Sequence, residues 1–277
     1  MEKTLVMVNG LSPNAGKMAY KVAEHVQASS DMELLPFSLT GSNVEADRMQ
    51  VGDLEIKLVK PEDRKEFIEM VSDQSFISVD YTHPNAVNEN AEFYCSNRLP
   101  FVMGTTGGDR DVLEKTVVDS DNVAVIAPNM AKQIVAFQAM LEYAANTFPD
   151  AFKGYTLEIA ESHQNGKADT SGTAKAMIGY FNQLGLPFTK DQIKMIRAPD
   201  EQLEMGIPEN TLTGHAWHTY TLKSKEGDVL FGFTHNVNGR DIYAAGTLDG
   251  VRFLIGKLGE KGKVYSMMDV LKGATTD

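Results

Sequence analysis

The stretch Thr4-Leu5-Val6-Met7-Val8-Asn9-Gly10-Leu11-Ser12-Pro13-Asn14-Ala15-Gly16-Lys17-Met18-Ala19 sets the reading of the fold. Thr4 to Val8 reads as a buried strand, a glycine turn follows, and helical spacing runs from Ala15 to Ala28. A strand that passes through glycines into a helix is where a dinucleotide's pyrophosphate binds. Glycine lets the backbone approach the phosphate, and the helix start offers N–H groups and the positive end of its dipole. Here Gly10 and Gly16 are separated by five residues and Ala19 takes the third position, so the spacing is not a simple GxGxxG. A plain tight turn before a helix would serve this pattern equally well.

Two details favour a cofactor. Lys17 follows Gly16 at the helix start, where an ammonium reaches a ribose phosphate. The segment Ser38-Leu39-Thr40-Gly41-Ser42 after the second strand carries no Asp or Glu to bond a free 2′-hydroxyl, which favours NADPH over NADH while leaving NADH possible. Gly10, Ser12, Gly16, Lys17 and Met18 are the candidate contacts of this turn.

Outward from the turn, strands and helices alternate. Strands are expected at Leu34–Ser38, near Leu54–Leu58, and at Phe76–Tyr81, Phe101–Met103 and Val123–Ala127. Helices are expected at Pro61–Val71, Asn85–Ser96 and Asp109–Asp119. That alternation implies βαβ units and a parallel sheet covered on both faces, so the chain is α/β with a Rossmann-like domain over about residues 1–130. The second half changes character. A long helix, Lys132–Thr147, precedes a strand at Tyr155–Glu161, a helix at Gly172–Leu184, strands at Thr211–Lys223 and Val229–Asn236, and a helical run at Ile242–Leu258. This is the pattern of a second, α+β domain with a mixed or antiparallel sheet over residues 131–240, the C-terminal residues 241–277 returning to complete the first.

Polar, small-residue clusters end three successive strands: Asp80-Tyr81-Thr82-His83-Pro84, Gly104-Thr105-Thr106-Gly107-Gly108 and Ala127-Pro128-Asn129-Met130. Ligands of open α/β sheets bind outside the carboxyl ends of the strands, so Thr82, Gly104, Thr105, Thr106, Ala127, Pro128, Asn129 and Met130 are expected to line one crevice. Any one cluster alone is also an ordinary loop.

The run Glu161-Ser162-His163-Gln164-Asn165-Gly166-Lys167-Ala168-Asp169-Thr170-Ser171-Gly172-Thr173-Ala174 is the richest in chemistry. A loop is expected to leave the strand with His163 and Lys167 and to enter a helix through small hydroxyl residues, whose backbone N–H groups suit a carboxylate. Imidazole titrates near neutrality and suits general-acid work, and Lys167 supplies a positive charge or a proton. A Ser/Thr helix cap beside a solvent-facing His and Lys would account for the same residues.

Bulk properties narrow the partners. The formal net charge of −12 argues against sequence-independent binding to nucleic acid and makes each local cation more informative for an anionic ligand. Cys95 is the single cysteine, so no intramolecular disulfide forms, which fits a reducing compartment. The sequence shows no signal segment, transit peptide or membrane span, so a cytoplasmic protein is expected, or a plastid stromal one if a transit peptide has been removed.

The last run and the strand-end clusters together resemble the 4-hydroxy-tetrahydrodipicolinate reductases (dihydrodipicolinate reductases), the plant-type branch in particular. Met7-Val8-Asn9-Gly10, Val79-Asp80-Tyr81-Thr82, Pro100 to Arg110, Glu161 to Ala176, Phe233-Thr234-His235-Asn236 with Arg240, and Met268-Asp269-Val270-Leu271 carry the likeness over nearly the whole chain. The resemblance implies reduction of 4-hydroxy-tetrahydrodipicolinate, or its dehydrated form, by NAD(P)H on the diaminopimelate route to lysine. It implies His163 as acid/base residue with Lys167 as partner. It also implies Gln164 where many bacterial members place a second histidine, and Gly172 and Thr173, with Ser171 beside them, as the cradle of a small anionic dicarboxylate. Gly104 to Thr106 and Ala127 to Met130 match contacts at the nicotinamide end. The second domain then binds substrate and mediates a homo-oligomer, dimer or tetramer.

One departure stands out: Pro13-Asn14-Ala15 look inserted in the phosphate turn, and Ala19 replaces a glycine. A paralogous reductase of another cyclic imine or unsaturated acid, and a non-catalytic NADP-binding regulatory protein, are the rival readings. No metal is expected, because His215 and His218 on a strand point to opposite faces. His218 and His235 are expected as sheet framework, and Cys95 as packing.

Overall fold

The computed structural model describes residues 3–165 and 172–273. The chain divides into two compact units, one formed by the residues up to Lys132 together with those from Asp241 onward, the other by Gln133–Arg240.

The first unit opens with β1 (Thr4–Asn9), whose last four residues are buried. Helix α1 (Lys17–Ala28) follows and buries Ala19, Val22, Ala23 and Val26, a three-and-four spacing that gives one apolar stripe. The single strand expected at Leu34–Ser38 is two short ones, β2 (Met32–Leu34) and β3 (Phe37–Leu39), which join different sheets. Pro36 lies between them and has no N–H for a ladder, so the chain changes sheet there. A strand outside the expected set, β4 (Arg48–Val51), pairs antiparallel with β5 (Leu54–Val59), and β3 runs parallel along the other side of β5. Helix α2 (Arg64–Met70), strand β6 (Phe76–Asp80), helix α3 (Val87–Ser96), strand β7 (Phe101–Met103), helix α4 (Arg110–Val118) and strand β8 (Val123–Ile126) complete the alternation. Every residue of β6, β7 and β8 is buried, as parallel strands covered on both faces must be.

Helix α5 (Lys132–Thr147) leads into the second unit. Strand β9 (Thr156–His163) runs two residues beyond the expected end, because its last residue still pairs with Ala216 across the sheet. Helix α6 (Gly172–Gln183), strand β10 (Lys194–Ile196), helix α7 (Pro199–Glu204), strand β11 (His215–Lys223) and strand β12 (Leu230–Asn238) follow. The sheet order is β10-β9-β11-β12, with β10 parallel to β9 and the other neighbours antiparallel, so the sheet is mixed. Its core gathers Leu141 of α5, Met177 and Phe181 of α6, and Ile159, Tyr220 and Leu222 of the sheet.

The chain then re-enters the first unit with α8 (Asp241–Ile255), β13 (Lys263–Tyr265) and α9 (Met267–Gly273). Strand β13 extends the main sheet, whose order is β13-β8-β7-β6-β1-β2 with all neighbours parallel. Helix α8 packs on α1, and Arg252 clamps Asp31 with two hydrogen bonds of 2.8 and 3.0 Å. The architecture is therefore α/β, a Rossmann-like parallel sheet with a second unit built on a mixed sheet.

Candidate active site

The first unit carries a crevice of about 320 Å³ at the carboxyl ends of its central strands. Met18, Thr82, Gly104, Thr105 and Thr106 line it, with Pro128 and Met130, so side chains expected from four separate stretches of sequence share one wall. Tyr81 and Pro84, members of the first strand-end cluster, also line it, as does Tyr243, which no expected cluster contained. Tyr243 belongs to α8, some 110 residues beyond the last strand-end cluster, and nothing local marks it. Ala127 is buried behind this wall, its N–H bonded to the Met103 carbonyl at 3.1 Å, and the Asn129 side chain accepts from Ala131 N–H at 3.0 Å.

The turn after β1 is built for close approach. Gly10 has φ of +97°, and a Cβ there would fall inside the Tyr81 carbonyl, so only glycine fits. Its N–H donates to the Leu39 carbonyl at 2.9 Å, tying the turn to the end of β3. Gly16 caps α1 in the left-handed region, with no side-chain cap and no acid in the first turn. The helix start is thus left to backbone N–H groups, with exposed Lys17 as its first residue. Pro13 and Asn14 form the exposed tip of a small turn closed by a Ser12–Ala15 bridge. This donor set fits a dinucleotide phosphate: open amides, a positive dipole end and a lysine.

In the second unit the sheet register assembles a polar row. Glu161 pairs with His218 across β9 and β11, and His218 pairs with His235 across β11 and β12, so the three share one face. His163 lies two residues beyond Glu161 and therefore on the same face. It is the last residue of β9, correcting the loop position expected for it, and it is buried. The His163 and His218 rings meet edge to face at 5.1 Å, and His218 stacks on His235 at 4.6 Å. Glu161 is wholly buried, accepts from Arg197 at 2.5 Å, and lies 3.7 Å from His218 Nε2. Gln202 of α7 donates to the His163 carbonyl at 2.7 Å and fixes the strand end.

His215 faces the other way, bonded to Ser162 at 2.8 Å. His218 thus joins His163 and Glu161, not His215, and the ligand atoms of that trio lie within 4.8 Å of one another. The trio could hold a metal ion, but the Arg197 guanidinium already occupies one Glu161 oxygen and opposes a second cation. Glu161, Arg197 and His218 were missed because their meeting depends on strand register, which no local pattern reveals. Gln164 is half-buried just past β9; Gly172 is exposed at the start of α6, and Thr173 is half-buried beside it. Lys167 and Ser171 lie outside the described residues.

Burial pushes His235 down to about 4, so it is neutral near pH 7. Unfolding restores an ordinary imidazole near 6.5, and the unfolded chain then binds the extra proton between those values. The stabilising contribution of a neutral His235 is therefore complete above about pH 6.5 and is lost as pH falls toward 4. Denaturant midpoints recorded across that window are expected to fall with acidification, and His235→Phe to flatten the slope; an unchanged slope rules His235 out as its source.

The family model described as dihydrodipicolinate reductase, N-terminus, matches residues 4–130. Its companion, dihydrodipicolinate reductase, C-terminus, matches 133–271. The chain is 46% identical over 272 residues to 4-hydroxy-tetrahydrodipicolinate reductase 1, chloroplastic, of Arabidopsis thaliana, covering 96% of this chain and 77% of the relative. It is 26% identical over 221 residues to the 4-hydroxy-tetrahydrodipicolinate reductase of Natronomonas pharaonis, covering 77% and 83%. Its fold is similar to a dipicolinate-bound dihydrodipicolinate reductase from Paenisporosarcina sp. TG-14, with a TM-score of 0.66 at 19% identity over 97% of this chain and 99% of that one.

Proposed function

Since this chain belongs to the dihydrodipicolinate reductase family, we propose that it reduces 4-hydroxy-tetrahydrodipicolinate, or its dehydrated form, to tetrahydrodipicolinate on the diaminopimelate route to lysine. The observation that carries this reading is the match to both family models, over residues 4–130 and 133–271, together with 46% identity to a plant reductase across 96% of the chain.

The cofactor is a nicotinamide dinucleotide, NADPH by preference, and it supplies the hydride when bound. Gly10, Ser12, Gly16 and Met18 hold its pyrophosphate at the α1 start, and Lys17 reaches the ribose 2′-phosphate. Thr40 and Ser42 beyond β3 leave room for a 2′-phosphate without an opposing acid. With the phosphates there and the adenosine toward β3, the reactive end lies over the ends of β6, β7 and β8, against Thr82, Gly104 to Thr106 and Ala127 to Met130. Lys17→Ala is expected to weaken NADPH about tenfold and NADH little, as fluorescence titration of both would register; an equal loss would remove Lys17 from 2′-phosphate recognition.

His163 supplies the proton to the substrate atom that gains negative charge as hydride arrives at carbon. Lys167 supplies the second cationic group, and Gln164, Ser171, Gly172 and Thr173 hold the dicarboxylate at the α6 start. Glu161, held by Arg197, sits at the base of the imidazole row and keeps His218 against His163. A fixed acid beside anion donors is what lets so acidic a chain take a dianionic substrate.

We also assign a homo-oligomer: β12 is the edge of its sheet, nine residues long, and exposes Leu230 and Phe231. Among the described residues no helix is long and apolar enough to cross a membrane. The compartment follows the source, the cytoplasm in an organism without plastids and the stroma in one with them.

The test makes the heterocycle in place from pyruvate and aspartate semialdehyde with its synthase and follows loss of reduced nicotinamide on adding this protein. Synthase-dependent oxidation is expected. Tight NADPH binding with no turnover of any cyclic imine would instead make the chain a regulatory NADP-binding protein.

A further inference from the structure

A wholly buried carboxylate lies directly behind the crevice wall. Asp80 ends β6, and every hydrogen bond to its side chain comes from a neutral donor. Oδ1 accepts from Thr82 N–H at 3.0 Å, the Thr82 hydroxyl at 2.8 Å and the Thr105 hydroxyl at 2.6 Å. Oδ2 accepts from Asn90 Nδ2 at 2.9 Å and the Tyr94 hydroxyl at 2.7 Å. The nearest cation in this chain of bonds is Arg64, one residue removed, donating to Asn90 Oδ1 at 2.8 Å. Burial and the charge of Asp80 push the Tyr94 phenol well above its ordinary range, which keeps it a donor.

An isolated structural role would be met more cheaply by a neutral amide, because a buried charge without a directly bonded cation costs desolvation. The carboxylate does one thing an amide cannot: it has no proton to give, so both threonine hydroxyls must spend their single proton on it. Thr82 and Thr105 both line the crevice. Toward a ligand they present lone pairs only, with the negative charge of Asp80 immediately behind. One Thr82 lone pair is already taken by Asn90 Nδ2 at 3.0 Å; the buried Thr105 hydroxyl, which also lies 3.2 Å from the Asp80 carbonyl, is the acceptor tested here.

We propose that Asp80 makes this stretch of the crevice acceptor-only and thereby selects a neutral hydrogen-bond donor on the cofactor's reactive ring, its carboxamide NH₂, over a carboxylate at the same position. This rests on the reading that a nicotinamide dinucleotide occupies the crevice with its ring over β6, β7 and β8. Asp80 acts through the two threonines and is a positioning, specificity-determining residue.

The experiment compares NADP⁺ with its ring-carboxylate analogue, nicotinic acid adenine dinucleotide phosphate, by calorimetry on the full chain. The wild type is expected to favour the amide about 100-fold. Thr105→Val keeps the buried charge and removes the acceptor, and is expected to weaken NADP⁺ and cut the preference below about tenfold; Thr105→Ser, which keeps the hydroxyl and its bond to Asp80, restores it. Asp80→Asn, which can donate to the hydroxyls and turn their protons toward the ligand, is expected to relax the preference in the same way. A preference unchanged in Thr105→Val overturns the proposal, and this arm decides the matter should Asp80→Asn fail to fold. A wild type that binds neither dinucleotide defeats the cofactor reading itself, a result distinct from a wild type that binds both without discrimination, which defeats only the role of Asp80.

Discussion

Replacing His163 by alanine is expected to lower turnover about 10²- to 10⁴-fold while leaving NADPH affinity nearly unchanged. The magnitude is that of a general acid removed from a reaction that must place a proton where negative charge develops. The separation of the two effects follows from architecture. Every residue lining the crevice belongs to the first unit, whereas His163 closes β9 in the second. Its backbone is held independently, by the pairing of β9 with β11 and by Gln202 on its carbonyl, so truncating the ring leaves the strand end in place. The measurement is steady-state kinetics on the in situ heterocycle beside fluorescence titration of NADPH. If cofactor binding falls as far as turnover does, His163 is part of the framework, not the acid.

Gly246→Ala is expected to cost about 3 kcal/mol or more, and to lower the melting temperature of a unit this size by roughly 6–12 °C. Helix propensity alone predicts the opposite, since alanine in a helix is better than glycine by about 1 kcal/mol. Contact decides the sign. Gly246 is fully within α8 and buried, and a Cβ there would overlap the Met130 carbonyl oxygen, a backbone atom that no rotamer change can move away. Either the helix or the Ala127–Met130 segment must shift, and Met130 lines the crevice, so NADPH affinity falls along with stability. Gly250, one turn further on, supplies the control: its Cβ would meet Val102 and Val125 side chains at 3.5 and 3.8 Å, ordinary contact, and Gly250→Ala is expected to stay within about 1 kcal/mol of the parent. Equal tolerance at both positions would mean that the α8 contact with Met130 is not rigid.

Both predictions turn on features that differ in how far a sequence exposes them. The alternation of strand and helix through the first 130 residues is local information, carried by short, mostly apolar runs such as Phe101–Met103 and Val123–Ile126, as expected of parallel strands covered on both faces. The clusters at 82, 104–106 and 128–130 could be named in advance, because carboxyl strand ends of such a sheet converge whatever the loops do. The three-residue strands β10 and β13 escaped, because unlike the equally short but wholly buried β7 they are partly exposed and carry no wholly apolar run. The single strand expected at Leu34–Ser38 divided at Pro36 for a reason visible in the residue itself, yet its consequence, two sheets instead of one, is a tertiary outcome.

The α/β class, a glycine turn after the first strand and the histidine placed before a run of small hydroxyl residues were legible in the chain. Each rests on patterns of residues close together in sequence, whereas the demand for glycine at position 10 comes from the Tyr81 carbonyl. Tertiary structure alone decided that Glu161, His218 and His235 stand in one row, that Asp80 sits behind two crevice threonines, and that Gly246 presses on Met130. Those are meetings between segments tens to more than a hundred residues apart. Strand register and helix docking bring them together through summed burial across the whole core, and no local pattern of side chains encodes that sum.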